Sequence, residues 1–243
     1  MNDLGSSHAM AVTLSSTLLP QVGILRSDAL DVRAAPVELD LVARLGRKGQ
    51  RYNTRSTLLA LAAVEEVVAA LAARGDTLDS SCGLIAASCY GNFAATCGVA
   101  EQLKDGGVGQ ISPMDLPNAS SNILASHIAI RHHLTGVCLT IDDGHQSGTS
   151  AMRWAKRLIA ARRATRVLVV AAECPSVYEE TLRGGRPLIE GAVALLLEPV
   201  RSFEQMGGDD ASPTDLPAWT AEYELASLGG LVGALYQRAG VFA

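Results

Sequence analysis

The chain has 243 residues, of which 48% are hydrophobic and 19% charged, with a formal net charge of −5. That length holds one large domain or two small ones, and either can bury a sizeable core. Acidic charge of mixed sign argues against nucleic acid and anionic membrane as main partners.

No apolar run approaches the length of a membrane span, and the N-terminus lacks the basic-then-apolar pattern of a secretory signal. The five cysteines (Cys82, Cys89, Cys97, Cys138, Cys174) are odd in number and contain no CxxC pair. They read as small buried hydrophobes in a reducing cytoplasm, not as a disulfide framework or a zinc site. No metal and no cofactor is expected.

Residues 1–9 are set aside as a leader. Met10 to Leu19 reads as a first strand. Val22 to Arg51 is loop-like and carries a basic cluster, Arg44, Arg47, Lys48 and Arg51. Such a cluster is a solvated face or a contact for an acidic carrier protein. Asn53 or Thr54 can cap a helix through TLLALAAVEEVVAALAARG that stops at Gly75. It is apolar nearly all round, which predicts burial between layers. Gly83 to Ser88 reads as a buried strand, and Gly91 and Asn92 turn the chain into a helix from about Phe93 to Lys104.

Pro113 and Pro117 predict an extended stretch. Asn118 is a plausible N-cap for a helix holding Ile123, Leu124, His127, Ile128 and Ile130. His132 and His133 fall at its end, where an imidazolium suits the helix dipole.

The centre of the chain is CLTIDDGHQSGTSAMRWAKRLIAA, Cys138 to Ala161. A short strand (Cys138 to Ile141) feeds a tight turn at Asp142, Asp143 and Gly144. His145 then stands where a helix begins. Ala151, Ala155, Leu158 and Ile159 share one face of that helix. Strand, turn and helix N-terminus together expose one residue to unbonded backbone N–H groups.

Two more apolar strands follow, Arg166 to Ala172 and Ala192 to Leu197. A linker from Gly207 to Pro217 precedes a helical segment, Trp219 to about Arg238. Alternating strands and helices predict an α/β fold with helices on both faces of one sheet.

Six motifs, in order, resemble the N-terminal half of the β-ketoacyl synthases of the thiolase superfamily. RYNTRSTLLALAA is similar to the family's early buried helix. The ISP, PN and NILASHIAI run resembles the segment whose pattern ends here at Asn122 to His127. LTGVCLTI resembles the strand entering the nucleophile turn, and HQSGTSAM the turn itself. RVLVVAAEC and EGAVALLLEP resemble two later strands.

The resemblance implies a truncated thiolase-like half over residues 10–200. Its order would be βαβαβαββ, with a mixed, mostly parallel five-stranded sheet and helices on both faces. A linker and C-terminal helix would occupy 201–243.

Two departures shape the expected function. The family's nucleophilic cysteine falls at His145, and an imidazole cannot form the same persistent acyl-enzyme. The family's second half, which supplies two histidines, is missing: the 44 residues from 200 to 243 contain no histidine. In the family, the strand before the nucleophile, here Val137 to Ile141, lies at a sheet edge and pairs across a dimer axis. A bare apolar edge of this kind is an aggregation hazard, so a partner is expected.

Chain-length factors, ketosynthase-like subunits without the cysteine, supply the precedent. Short forms accompany ketosynthases that make polyenes, including aryl polyenes. The resemblance thus implies a non-catalytic cytoplasmic subunit in a heterodimer with an active ketosynthase, with an acyl carrier protein as a further partner. Met114, Leu116, Asn118, Ile123, Leu124, His127, Val137, Leu139 and Ile141 would form the interface and shape the partner's acyl tunnel. Two alternatives stand beside it. One is an enzyme using His145 with Asp142 or Asp143 for acid–base work on an acyl thioester. The other is a homodimeric acyl-binding half-thiolase. Gln146 lies one position too late for the glutamine of decarboxylating relatives. Glu173 is expected to be structural, and Trp154 to be packing.

Overall fold

A computed structural model describes residues 10–22, 36–182, 187–199 and 224–236. Five strands form one sheet: β1 (Met10–Leu18), β2 (Gly83–Ala87), β3 (Cys138–Ile141), β4 (Val167–Glu173) and β5 (Gly191–Pro199). Their order is β1-β5-β4-β2-β3. β2 pairs parallel with both β3 and β4, while β5 runs antiparallel to β1 and β4. Every residue of β2 and β4 is buried, as their unbroken apolar runs require of strands covered on both faces. The mixed five-stranded sheet of the sequence reading is therefore present, with its pairings divided evenly between parallel and antiparallel.

One face of the sheet carries α1 (Leu41–Leu45), α2 (Arg55–Ala73) and α4 (Ile123–Arg131); the other carries α5 (Ser147–Ala160) and α7 (Leu228–Tyr236). α2 starts where the Thr54 hydroxyl accepts the Thr57 N–H at 3.3 Å. By length and composition α2 could cross a membrane, contrary to the reading that no run approaches that length. Ten of its residues are buried, against the sheet and its neighbouring helices. Burial is continuous only from Thr57 to Val64, so α2 is enclosed in its first half and one-faced in its second.

α3 (Phe93–Gly106) and α6 (Val177–Leu182) lie together at the side, and α3 buries no residue. α1 and α6, five and six residues long, were not expected. Three local readings need correction. Residues 116–119 form a 3-10 turn instead of an extended stretch. The N-cap position of α4 is Asn122, without a side-chain capping bond, because Asn118 lies within the 3-10 turn, where its amide donates to the Tyr52 carbonyl at 2.6 Å. The C-terminal helix begins at Leu228, because residues 224–227 form a bridge and a turn instead; residues 219–223 and 237–238 of its predicted span, the leader and the linker lie outside the described residues.

α7 crosses the start of α5 at close range. Leu228, Leu231 and Val232 are buried there, and a Cβ on Gly148 would collide with the Ser227 carbonyl. Arg166 ties the start of β4 to its surroundings, pairing with Asp76 at 2.5 Å and Glu198 at 2.6 Å.

Candidate functional site

The turn between β3 and α5 is built from its own side chains. The Asp143 N–H donates to the Ser147 hydroxyl at 2.7 Å, and that hydroxyl donates to the Gly144 carbonyl at 2.6 Å. The Ser150 hydroxyl donates to the Asp143 carboxylate at 2.6 Å. Asp143 is thus committed to the first turn of α5. Asp142 lies against Gly91, whose φ of +55° and missing Cβ allow the two turns to meet. Burial pushes the Asp142 carboxyl above its usual range.

His145 stands just before the α5 N-cap with 63% of its side chain exposed. Its ring does not pair with Asp142 or Asp143, as the acid–base alternative required. Nδ1 lies 3.4 Å from the Glu224 carboxylate and 3.9 Å from Cys89 Sγ. The Tyr90 hydroxyl donates to the same Glu224 oxygen at 3.1 Å. Sequence reasoning missed Cys89 and Glu224 because they reach His145 from other turns. The one available signal was that Cys89 follows an apolar strand directly.

Behind this cluster Glu173 ends β4, 2% exposed. Its carboxylate accepts the Cys89 N–H at 2.6 Å, the Ser227 N–H at 3.3 Å and the Ser88 hydroxyl at 3.3 Å. The Ser227 hydroxyl also donates to it. Burial wins over these donors and pushes its pKa up to about 7. Glu173 therefore joins β4, the turn after β2 and the start of α7. A cavity of about 160 Å³ opens beside it, with Thr54, Ser88, Tyr90, Asn92 and Cys174 in its wall.

The family model for the β-ketoacyl synthase N-terminal domain matches residues 40–186. The chain belongs to this family. Among solved structures, "The ishigamide ketosynthase/chain length factor" aligns with a TM-score of 0.66 at 25% identity, over 81% of this chain and 63% of that one. The ketosynthase ApeO in complex with its chain length factor ApeC, from Xenorhabdus doucetiae, aligns at 0.62 and 20% identity, over 80% of each chain. The type II complex AntDE:AntF, a ketosynthase with its acyl-carrier protein, aligns at 0.65 and 15% identity, over 83% of this chain and 65% of that one. The last two show the shared fold alone. This chain spans less than two thirds of the first structure's chain. No curated protein matches it.

In this β-ketoacyl synthase domain the residues expected at an interface divide into two sets. β3 is the edge strand, with Cys138 exposed and Leu139 and Ile141 half-buried. Met114 and Leu116 are exposed, and Ile130 of α4 is 75% exposed. Leu124 is buried in the core under α2, and burial lowers the pKa of the half-buried His127. Asn118 holds Tyr52, and Ile123 and Val137 are half-buried. None of these nine residues borders the cavity beside Glu173.

Other expectations shift as well. All five cysteines are thiols, but only Cys82 is fully buried; Cys138 is exposed and the others are intermediate. His132 caps α4 at its C-terminus, yet burial lowers its pKa, so the neutral ring is favoured over the expected imidazolium. Trp154 is 42% exposed, with the Arg157 guanidinium 5.2 Å from its ring centre. Of the basic cluster, Arg44 pairs with Glu66 at 2.9 Å. Among the described residues no group of three His, Cys, Asp or Glu side chains is disposed to hold a metal ion.

Proposed function

We propose that the chain is a chain-length-factor-like subunit. It pairs with an active ketosynthase in fatty-acid or polyketide-type biosynthesis, shapes that partner's acyl or polyene tunnel, and performs no condensation itself. The observation that carries this reading is an open sheet edge beside a nucleophile turn that presents an imidazole instead of a thiol. Leu84 donates to the Val137 carbonyl at 2.8 Å and Ser88 to the Ile141 carbonyl at 3.3 Å. By the two-residue alternation of a strand, Cys138 and Thr140 turn their N–H and C=O groups away from β2. Those groups form an edge suited to a second strand. The neighbouring elements expose Met114, Leu116 and Ile130, which fits an interface. The 25% identity to the ishigamide ketosynthase/chain length factor supports the same reading.

Co-expression with the ketosynthase encoded nearest to this chain tests it, with a tag on one subunit only. Equal recovery of both subunits is expected, and His145→Ala should still support chain elongation in the complex. Failure to co-purify, with a stable homodimer of this chain instead, would overturn the proposal. Elongation lost in an assembled His145→Ala complex would assign chemistry to the imidazole.

A further inference from the structure

The nucleophile turn lacks a thiol, but a thiol faces it from the next strand. Cys89 lies in the turn that leaves β2. Its N–H is fixed by the Glu173 carboxylate at 2.6 Å, and its Sγ lies 3.9 Å from His145 Nδ1. That nitrogen also lies 3.4 Å from the Glu224 carboxylate. A thiol beside an imidazole is an arrangement that generates a nucleophilic thiolate, and here the Glu224 carboxylate meets the same ring nitrogen as the thiol; such contacts are commonly loose before a substrate arrives. Burial raises the pKa of the Cys138 and Cys82 thiols, that of Cys82 up to about 12.

We infer that Cys89, assisted by His145, is a nucleophilic thiol that accepts an acyl group from an acyl thioester. The substrate class rests on the proposed function above; the nucleophile rests on the Cys89, His145 and Glu224 geometry. In the exchange the Cys89 S–H proton passes to His145 Nδ1 and Sγ attacks the thioester carbonyl. A new Cys89 S–acyl bond forms and the original C–S bond breaks. The leaving thiolate takes the proton back from the imidazolium. No oxidant, reductant or metal enters. One exchange loads the subunit with one chain, with no condensation. The cavity beside Glu173 is lined by Ser88 and Tyr90, the chain neighbours of Cys89.

Other titratable groups face the pair from each neighbouring element: Tyr90 from the same turn, Asp142 and Asp143 from the turn before α5, Glu173 from β4 and Glu224 before α7. The pH profile therefore belongs to the cluster.

The test uses the full chain with octanoyl-N-acetylcysteamine, a small acyl thioester, read by intact mass and peptide mapping. A single octanoyl group on Cys89 is expected, formed at least about tenfold faster than on the exposed Cys138, and His145→Ala should slow it by about tenfold or more. Cys89→Ser should abolish it. Iodoacetamide labelling should show Cys89 reacting with a midpoint below the ordinary thiol value of about 8.5, with Glu224→Gln moving that midpoint up.

Labelling of Cys138 or Cys97 ahead of Cys89, or a Cys89 rate indifferent to His145, would overturn the inference. Should His145→Ala misfold, the wild-type ratio of Cys89 to Cys138 and its pH midpoint decide. Co-purification of Cys89→Ser with the ketosynthase separates the two proposals. Assembly without acylation sinks only the thiol. Acylation without any ketosynthase complex sinks only the subunit reading.

Discussion

Glu173→Gln removes one buried titration and leaves the shape nearly unchanged. In the wild type, burial raises this carboxyl from 4.5 to about 7. The folded state then binds a proton that the unfolded chain releases between those values. Its favourable contribution is complete below pH 4.5 and is lost as pH rises through about 7. At roughly 1.4 kcal/mol per unit, the loss across that window amounts to about 3 kcal/mol. A glutamine can still accept from Cys89 and Ser227 through its carbonyl, and its amide can donate to the Ser88 hydroxyl.

The assay is urea denaturation of both proteins at pH 5 and pH 8. The variant should gain on the wild type by about 2–3 kcal/mol between the two, because only the wild type carries the cost of a buried charge. A stability difference that stays flat with pH would mean that Glu173 is ionised throughout. Its four hydrogen-bond donors would then outweigh burial, and the reasoning would fail.

Three further outcomes are expected. Gly148→Ala places a methyl against the Ser227 carbonyl and the Leu231 side chain. It should lower stability by about 1–3 kcal/mol, read as a shift in the denaturation midpoint at constant slope. Thr140→Pro deletes an outward N–H while leaving the bonds from Val137 and Ile141 to β2 intact. It should leave the monomer's melting temperature within a few degrees but abolish co-purification with a ketosynthase; retained assembly would move the interface elsewhere. Ser227→Ala removes one hydroxyl bond to Glu173 and should cost about 1 kcal/mol, with earlier proteolysis around α7.

What could be read in advance depended on how local the signal was. β4 and β5 announce themselves as unbroken apolar runs because both faces of the sheet are covered. The position of His145 follows from strand, turn and helix spacing within one short stretch. Its surroundings do not follow, because Cys89 stands 56 residues away and Glu224 belongs to a separate segment. The neighbouring Asp142 and Asp143 looked like the natural partners of the ring, yet Ser150 and the Gly91 turn engage them first. Composition misled at the cysteines, since an apolar neighbourhood in sequence placed Cys138 on an exposed edge. It misled at His132 too, where burial reversed what the helix dipole favours. α1 and α6 are too short to show a period. Asn118 reads as a cap on paper, but residues 116–119 close a 3-10 turn first and α4 starts after Asn122.

The order of strands also has a consequence for how the chain is made. Among the described strands β1 is made first, and its neighbour in the sheet is β5, the last of them to be made. A hydrogen bond from Thr13 to Leu196 spans 183 residues. β2, β3 and β4 can zip together while β1 waits unpaired, with its apolar side chains open to any other strand nearby. Contacts this distant in sequence close slowly. The vulnerable interval is therefore the time between the emergence of β1 and that of β5, when a chaperone or an assembling partner has most to offer.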